Sequence, residues 1–148
     1  MNSDQSPLNN VKGYATPRAF SGFQIPIPLQ SMAIRRYCEE RSLRFNLHVV
    51  ENIGPNSFLV LERVIAESHL YSAVAMCSVG LLPSDTAHRT DILQRAFRSG
   101  MHLHFVFEQL IGSTEADIDE INELIHLCNL SSRSRNQTQR LVESLNGV

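Results

Sequence analysis

The chain has 148 residues, enough for one domain with a substantial buried core. Its apolar fraction of 43% and charged fraction of 19% lie slightly below globular averages, and thirteen basic against fifteen acidic residues leave a formal charge of −2. That balance argues against the basic footprint by which a domain holds nucleic acid or an anionic membrane, and no apolar run is long enough to span a bilayer.

Residues 1–10, "MNSDQSPLNN", are polar and are expected to be disordered, with no basic stretch leading into an apolar one as a secretory leader would require. A first strand is expected over Lys12–Thr16, where Pro17 cuts it short, followed by the loop "SGFQIPIP". A helix should begin just after Pro28, with Leu29, Met32, Ala33, Tyr37 and Cys38 on its inner side. "RFNLHVVE" alternates and reads as a second strand, and an Asn56 or Ser57 cap introduces a second helix carrying Phe58, Leu61, Val64 and Ile65 inward.

"YSAVAMCSV" is nearly continuous in small and β-branched residues, the mark of a strand covered on both faces. Ser84 should cap a third helix that points Ile92, Leu93, Ala96 and Phe97 inward and stops at Gly100. "GMHLHFVFEQL", residues 100–110, follows as the fourth strand. "STEADIDEINELIHLCNL" then places acids in its first turns and Ile118, Ile121, Ile125 and Cys128 at helical spacing.

Alternation of strands and helices at this spacing predicts right-handed crossovers. The expected fold is a flavodoxin-like, resolvase-like three-layer α/β/α sandwich with a mainly parallel sheet of four to five strands, the first four in the order 2-1-3-4. One domain over residues 11–130 is expected, with 131–148 a polar tail or short C-terminal helix. Cys38, Cys77 and Cys128 are odd in number and lack a CxxC spacing, which suits reduced thiols in a cytoplasmic protein.

His102, His104 and Glu108 match the H-x-H-x-x-x-E pattern of a cupin metal site. On a straight strand Glu108 lies about 13 Å beyond His104, at about 3.3 Å per residue, and no second histidine motif joins it. The expectation is therefore a strand whose histidines tuck beneath a helix, with no metal and no cofactor; a cupin-type site is the alternative.

A parallel sheet gathers reactive groups at the carboxyl ends of its strands. Those ends carry Arg18, Glu51, Ser78 and Glu108, with Gln30 and Asn56 at the adjoining helix starts. Arginine, carboxylates, a hydroxyl and amides on one rim suit a polar, anionic or polyhydroxylated small molecule. Phosphate-loop and dinucleotide fingerprints, the GxSxG elbow and an Asp cluster are all missing from the sequence.

"GYATPRAFSGFQIPIPLQSMAIRRYCEERSL" resembles the opening of serine-recombinase catalytic domains. Where that family places its nucleophilic serine this chain has Thr16, Pro17 and Arg18, and where its arginine pair follows strand three it has "SVGLLPSD". The chain also looks too short for that family's long dimerisation helix and DNA-binding tail. The resemblance supports the fold, and these departures argue against recombination.

A second resemblance spans about residues 12–112 and rests on "GYATPRAF", "IPIPLQSMAIRRYC", "VVENIGPNSFLVLERVI", "CSVGLLP" and "LHFVFEQL". Together these are similar to the bacterial sporadic carbohydrate cluster proteins, with Arg18, Pro26, Gln30, Arg35, Tyr37, Glu51, Ser78, Leu82, Pro83, His104, Phe105 and Glu108 at matching positions. Ile53, Val79 and Gly80 depart from that pattern.

The resemblance implies a role in surface-carbohydrate or unusual-sugar biosynthesis. Acid–base chemistry of isomerase, epimerase or dehydratase type would use Glu108 or Glu51 as base, His104 as proton shuttle and Ser78 to orient hydroxyls. Arg18, Gln30 and Asn56 would hold the substrate. The alternatives are a non-catalytic accessory protein and a degenerate recombinase-like domain. The partners expected are a sugar-like metabolite and a second copy of the chain, without nucleic acid or membrane.

Overall fold

The computed structural model describes residues 9–20, 22, 24–54 and 56–147. Five strands form one sheet: β1 (Asn10–Ala15), β2 (Arg44–Val50), β3 (Ala73–Met76), β4 (His102–Phe105) and β5 (Leu110–Gly112), in the order β2-β1-β3-β4-β5. The first four run parallel, and β5 turns back antiparallel along β4. The mainly parallel α/β sheet is as expected, and β5 is the strand the four-strand order lacks.

Four helices complete the layers: α1 (Ile27–Glu40), α2 (Leu59–Ala66), α3 (Thr86–Arg98) and α4 (Asp117–Asn146). Right-handed crossovers place α1 on one face, against β1, β2 and β3. α2, α3 and the first half of α4 share the other face. β3 is buried along its whole length, as its apolar run demands. Most of the expected disordered N-terminus, residues 1–8, lies outside the described residues, whereas Asn10 pairs with Arg44 and opens β1 two residues early.

β2 carries one residue more than β1 between paired positions: Lys12 pairs with Asn46 and Tyr14 with Val49, so Gly13 faces both Leu47 and His48. A Cβ at Gly13 would stand 2.9 Å from the Phe45 ring and 3.0 Å from His48 Cβ. Glycine lets the bulge close.

α1 buries Gln30, Ile34, Tyr37 and Cys38, not the expected stripe through Leu29 and Met32, both of which are exposed. The buried polar Gln30 disguises the true helical face. α3 is capped by Asp85, whose carboxylate accepts from His88 N at 2.8 Å, so the expected Ser84 cap shifts by one residue.

α4 corrects two expectations. It is a single helix of 30 residues, about 45 Å long at about 1.5 Å per residue, so no boundary falls at residue 130 and a long helix does have room. Asp117 accepts from Ser113 N and Thr114 N and pins its start. Ile118, Ile121 and Ile125 pack inward, and from His126 onward the described side chains are exposed, apart from the half-buried Cys128.

Candidate functional site

The strand carboxyl ends hold two polar clusters. The first begins with Tyr14 on β1, whose hydroxyl donates to Glu51 Oε2 at 3.0 Å. Glu51 follows β2 and is almost fully buried. Its carboxylate accepts from Leu61 N at 3.1 Å, Val60 N at 3.2 Å, Asn52 N at 3.0 Å and the Ser57 hydroxyl at 3.3 Å. The carboxylate thus caps α2, whose entry has no side-chain cap of its own and not the expected one from Asn56 or Ser57. Burial pushes its pKa up, but the bonds from Asn52, Val60, Leu61 and Tyr14 prevail and hold it below its ordinary value. A base so saturated has no lone pair left for substrate, which corrects the expected catalytic role of Glu51.

Arg18 lies over this cluster. Its Nη1 donates to Ser57 O at 3.1 Å, and its Nη2 donates to Tyr14 Oη at 3.1 Å and Leu81 O at 3.0 Å. Its guanidinium carbon stands 3.7 Å from the centroid of the Phe58 ring. One side chain therefore ties β1, the entry to α2 and the short 3₁₀ turn Val79–Leu81 together.

The second cluster is the Ser78–Glu108 pair. Ser78 Oγ donates to Glu108 Oε1 at 2.5 Å, Val79 N donates to both carboxylate oxygens at 3.3 Å, and Ser78 Oγ accepts from Gly80 N at 3.1 Å. Glu108 is half-buried, in the turn between β4 and β5. The 3₁₀ turn bridges the clusters, since Ser78 starts it and Arg18 holds its end. Phe20 packs on Gly80, where an added Cβ would meet the ring at 3.1 Å.

Beside Arg18 and the 3₁₀ turn opens a cleft of about 170 Å³ bordered by Arg18, Asn56, Phe58, Gly80, Leu82 and Ser84, and the Ser78–Glu108 pair lies behind Gly80 in the chain and does not line it. Asn56 is exposed and adopts φ 58°, a left-handed conformation that asparagine tolerates. Of the expected residues, Arg18 with Glu51 and Ser78 with Glu108 form two clusters joined through the 3₁₀ turn, and Arg18 and Asn56 border the cleft.

Gln30 and His104 do not belong to that opening. Gln30 is fully buried; its amide exchanges bonds with Thr16 N at 3.2 Å and Thr16 O at 2.7 Å and also reaches Ile25 O at 2.8 Å. It fastens the loop after β1 and is closed to a ligand. His104 points to the α1 face, where Nδ1 shares a hydrogen bond of 2.7 Å with Tyr37 Oη. β4 ends at Phe105, so the straight strand through Glu108 does not form, and His104 cannot pass a proton to the rim.

The open parallel sheet is also not the closed antiparallel barrel of a cupin, and among the described residues no cluster of three His, Cys, Asp or Glu side chains could hold a metal. None of the helices among the described residues is long and apolar enough to cross a membrane.

Burial, then the charges of His102 and Arg41, lowers the His104 pKa from 6.5 to about 4. The imidazole is neutral when folded and protonates more readily once unfolded. Stability is therefore complete above pH 6.5 and falls as the pH drops toward 4. We predict that His104→Gln flattens the stability–pH slope within that window, measured by urea unfolding at successive pH values. An unchanged slope would remove His104 as its source.

Tyr14 and Arg89 have no role in the sequence-based expectations, and Tyr37 and Phe58 enter them without their partners His104 and Arg18. Arg89 is buried, donates to Pro83 O at 2.9 Å and Asn122 Oδ1 at 2.7 Å, and sits in the helical stripe of Ile92, Leu93 and Ala96. That position on the inner face was its readable signal.

No protein-family model matches the chain, and no curated protein does. Among solved structures it is similar to the N-terminal catalytic domain of TP901-1 integrase, with TM-score 0.56 and 14% identity over 89% of this chain and 98% of that one. It is equally similar to a resolvase-family site-specific recombinase from Streptococcus pneumoniae, with TM-score 0.56 and 13% identity over 90% and 98%. Thr16, just beyond β1, is fully buried, and its hydroxyl accepts from Arg18 N at 3.2 Å. At these identities the likeness is one of architecture: the chain has the fold of resolvase and integrase catalytic domains.

Proposed function

We propose that the protein binds a small anionic, hydroxylated metabolite in the cleft beside Arg18 and acts on it by acid–base chemistry through Glu108 and Ser78. The observation that carries the reading is Arg18: a half-buried cation, over the Phe58 ring, that makes no ion pair among the described residues and borders an open cleft. Such a charge, held rigid beside solvent, favours an incoming anion. Glu108 is the accessible carboxylate of the rim, and its contact with Ser78 Oγ supplies a route for a proton. Glu51, Tyr14 and Gln30 position the framework. The sugar-like character of the ligand is taken from the resemblance over residues 12–112.

Proton transfer at a C–H next to a carbonyl exchanges that hydrogen with solvent, so the test is deuterium incorporation into candidate sugars by NMR. We expect Glu108→Gln to slow exchange by about 100-fold or more while leaving ligand affinity within about threefold. Exchange at the parent rate in Glu108→Gln would sink the assignment.

We propose also that the protein is a homo-oligomer assembled on the distal half of α4. Leu141, Val142 and Leu145 are exposed there, Leu127 and Leu130 are exposed just before it, and an isolated helix of that length is marginal in water.

A further inference from the structure

We infer that the cleft takes a tetrahedral oxyanion, a phosphate ester, in preference to a planar carboxylate. The inference rests on the reading of the cleft as an anion site and narrows it by counting the hydrogens of Arg18. Carboxylate and phosphate alike can be held by a parallel pair of N–H donors, either Nε with Nη2 or Nη1 with Nη2, but a carboxylate has no third oxygen to offer when the pair is lost. Both arrangements need a hydrogen from Nη2.

Here both Nη2 hydrogens are engaged, one by Tyr14 Oη at 3.1 Å and one by Leu81 O at 3.0 Å. One Nη1 hydrogen goes to Ser57 O at 3.1 Å. Neither fork is open. Among the described residues, the Nε hydrogen and the second Nη1 hydrogen meet no acceptor, and they leave the guanidinium along different edges. The guanidinium lies over the Phe58 ring.

Single, diverging donors match an anion whose oxygens also diverge. A phosphate monoester presents oxygens in several directions and meets one Arg18 N–H with one of them. The others are left for the Asn56 amide and the Ser84 hydroxyl on the same border. A carboxylate has its two oxygens in one plane and gains only one Arg18 bond at a time. Arg18 is thus fixed in a posture that keeps its charge and withholds its fork.

The test compares glucose 6-phosphate, glucuronate and glucose by calorimetry. The work is done at about pH 5.5, where the phosphate ester and the carboxylate both carry close to a single charge. Inorganic phosphate serves as competitor. We expect glucose 6-phosphate to bind at least about tenfold more tightly than glucuronate, and inorganic phosphate to displace it.

Asn56→Asp places a negative charge on the border without disturbing the backbone, because aspartate also tolerates a left-handed φ. It should weaken glucose 6-phosphate binding by at least about tenfold with an unchanged unfolding midpoint.

Glucuronate binding as tightly as glucose 6-phosphate would overturn the preference for a tetrahedral anion and leave the anion site standing. Neither anion binding better than glucose would overturn both readings. Full phosphate binding in Asn56→Asp would place the anion elsewhere and overturn the cleft assignment.

Discussion

Glu51→Ala should lower the stability of the folded chain by about 3–5 kcal/mol, among the largest effects of any single substitution here. The side chain is 2% exposed and accepts from Tyr14, Asn52, Ser57, Val60 and Leu61. Each buried donor left without a partner costs about 1–3 kcal/mol, and water reaches only the outer members of this set. Glu51→Gln preserves the shape but turns an NH₂ group toward donors, and should fall between the alanine variant and the parent.

The pH dependence has a definite sign. The folded pKa lies below the ordinary 4.5, so the contribution is present above that value and is lost as acid titrates the folded carboxylate. Urea unfolding with both spectroscopic and fluorescence-label probes measures these quantities. An alanine variant within about 1 kcal/mol of the parent would show that the carboxylate does not cap α2.

The second large effect concerns assembly. Replacing Leu141 and Leu145, which are 64% and 75% exposed, with arginine should convert the oligomer to a monomer in sedimentation equilibrium. Circular dichroism should then show loss of helix, because the distal half of α4 no longer has a surface to lie on. The unfolding free energy of the remaining domain should change by less than about 0.5 kcal/mol, since these leucines are largely exposed and outside the buried core. A parent chain that sediments as a monomer while its distal amides resist hydrogen exchange would defeat the assembly proposal.

The sheet was legible because its signals are periodic and local. Alternation in β2, the unbroken apolar run of β3 and the inward stripe of α3 fix element types, and right-handed crossovers then order the strands. β5 escaped because Leu110–Gly112 is too short to show a period. The extension of α4 escaped because "SSRSRNQTQR" has no apolar stripe, and an outward-facing helix needs none until a partner covers it.

The location of the rim was legible from the direction of the strands, but the roles on it were not. Glu51 and Gln30 look like free polar groups in sequence. Their occupants are backbone N–H and C=O groups of α2 and the loop after β1, which no side-chain pattern announces. His104 shows the reverse: its partner, Tyr37, arrives from a helix 67 residues away in the chain.

The additional residue in β2 opposite Gly13 also bears on how the molecule behaves at high concentration. β2 is an outer strand, paired within the sheet on one side only. By twisting that border out of plane, the irregularity denies a straight template to strands of neighbouring molecules and guards against fibrous accretion.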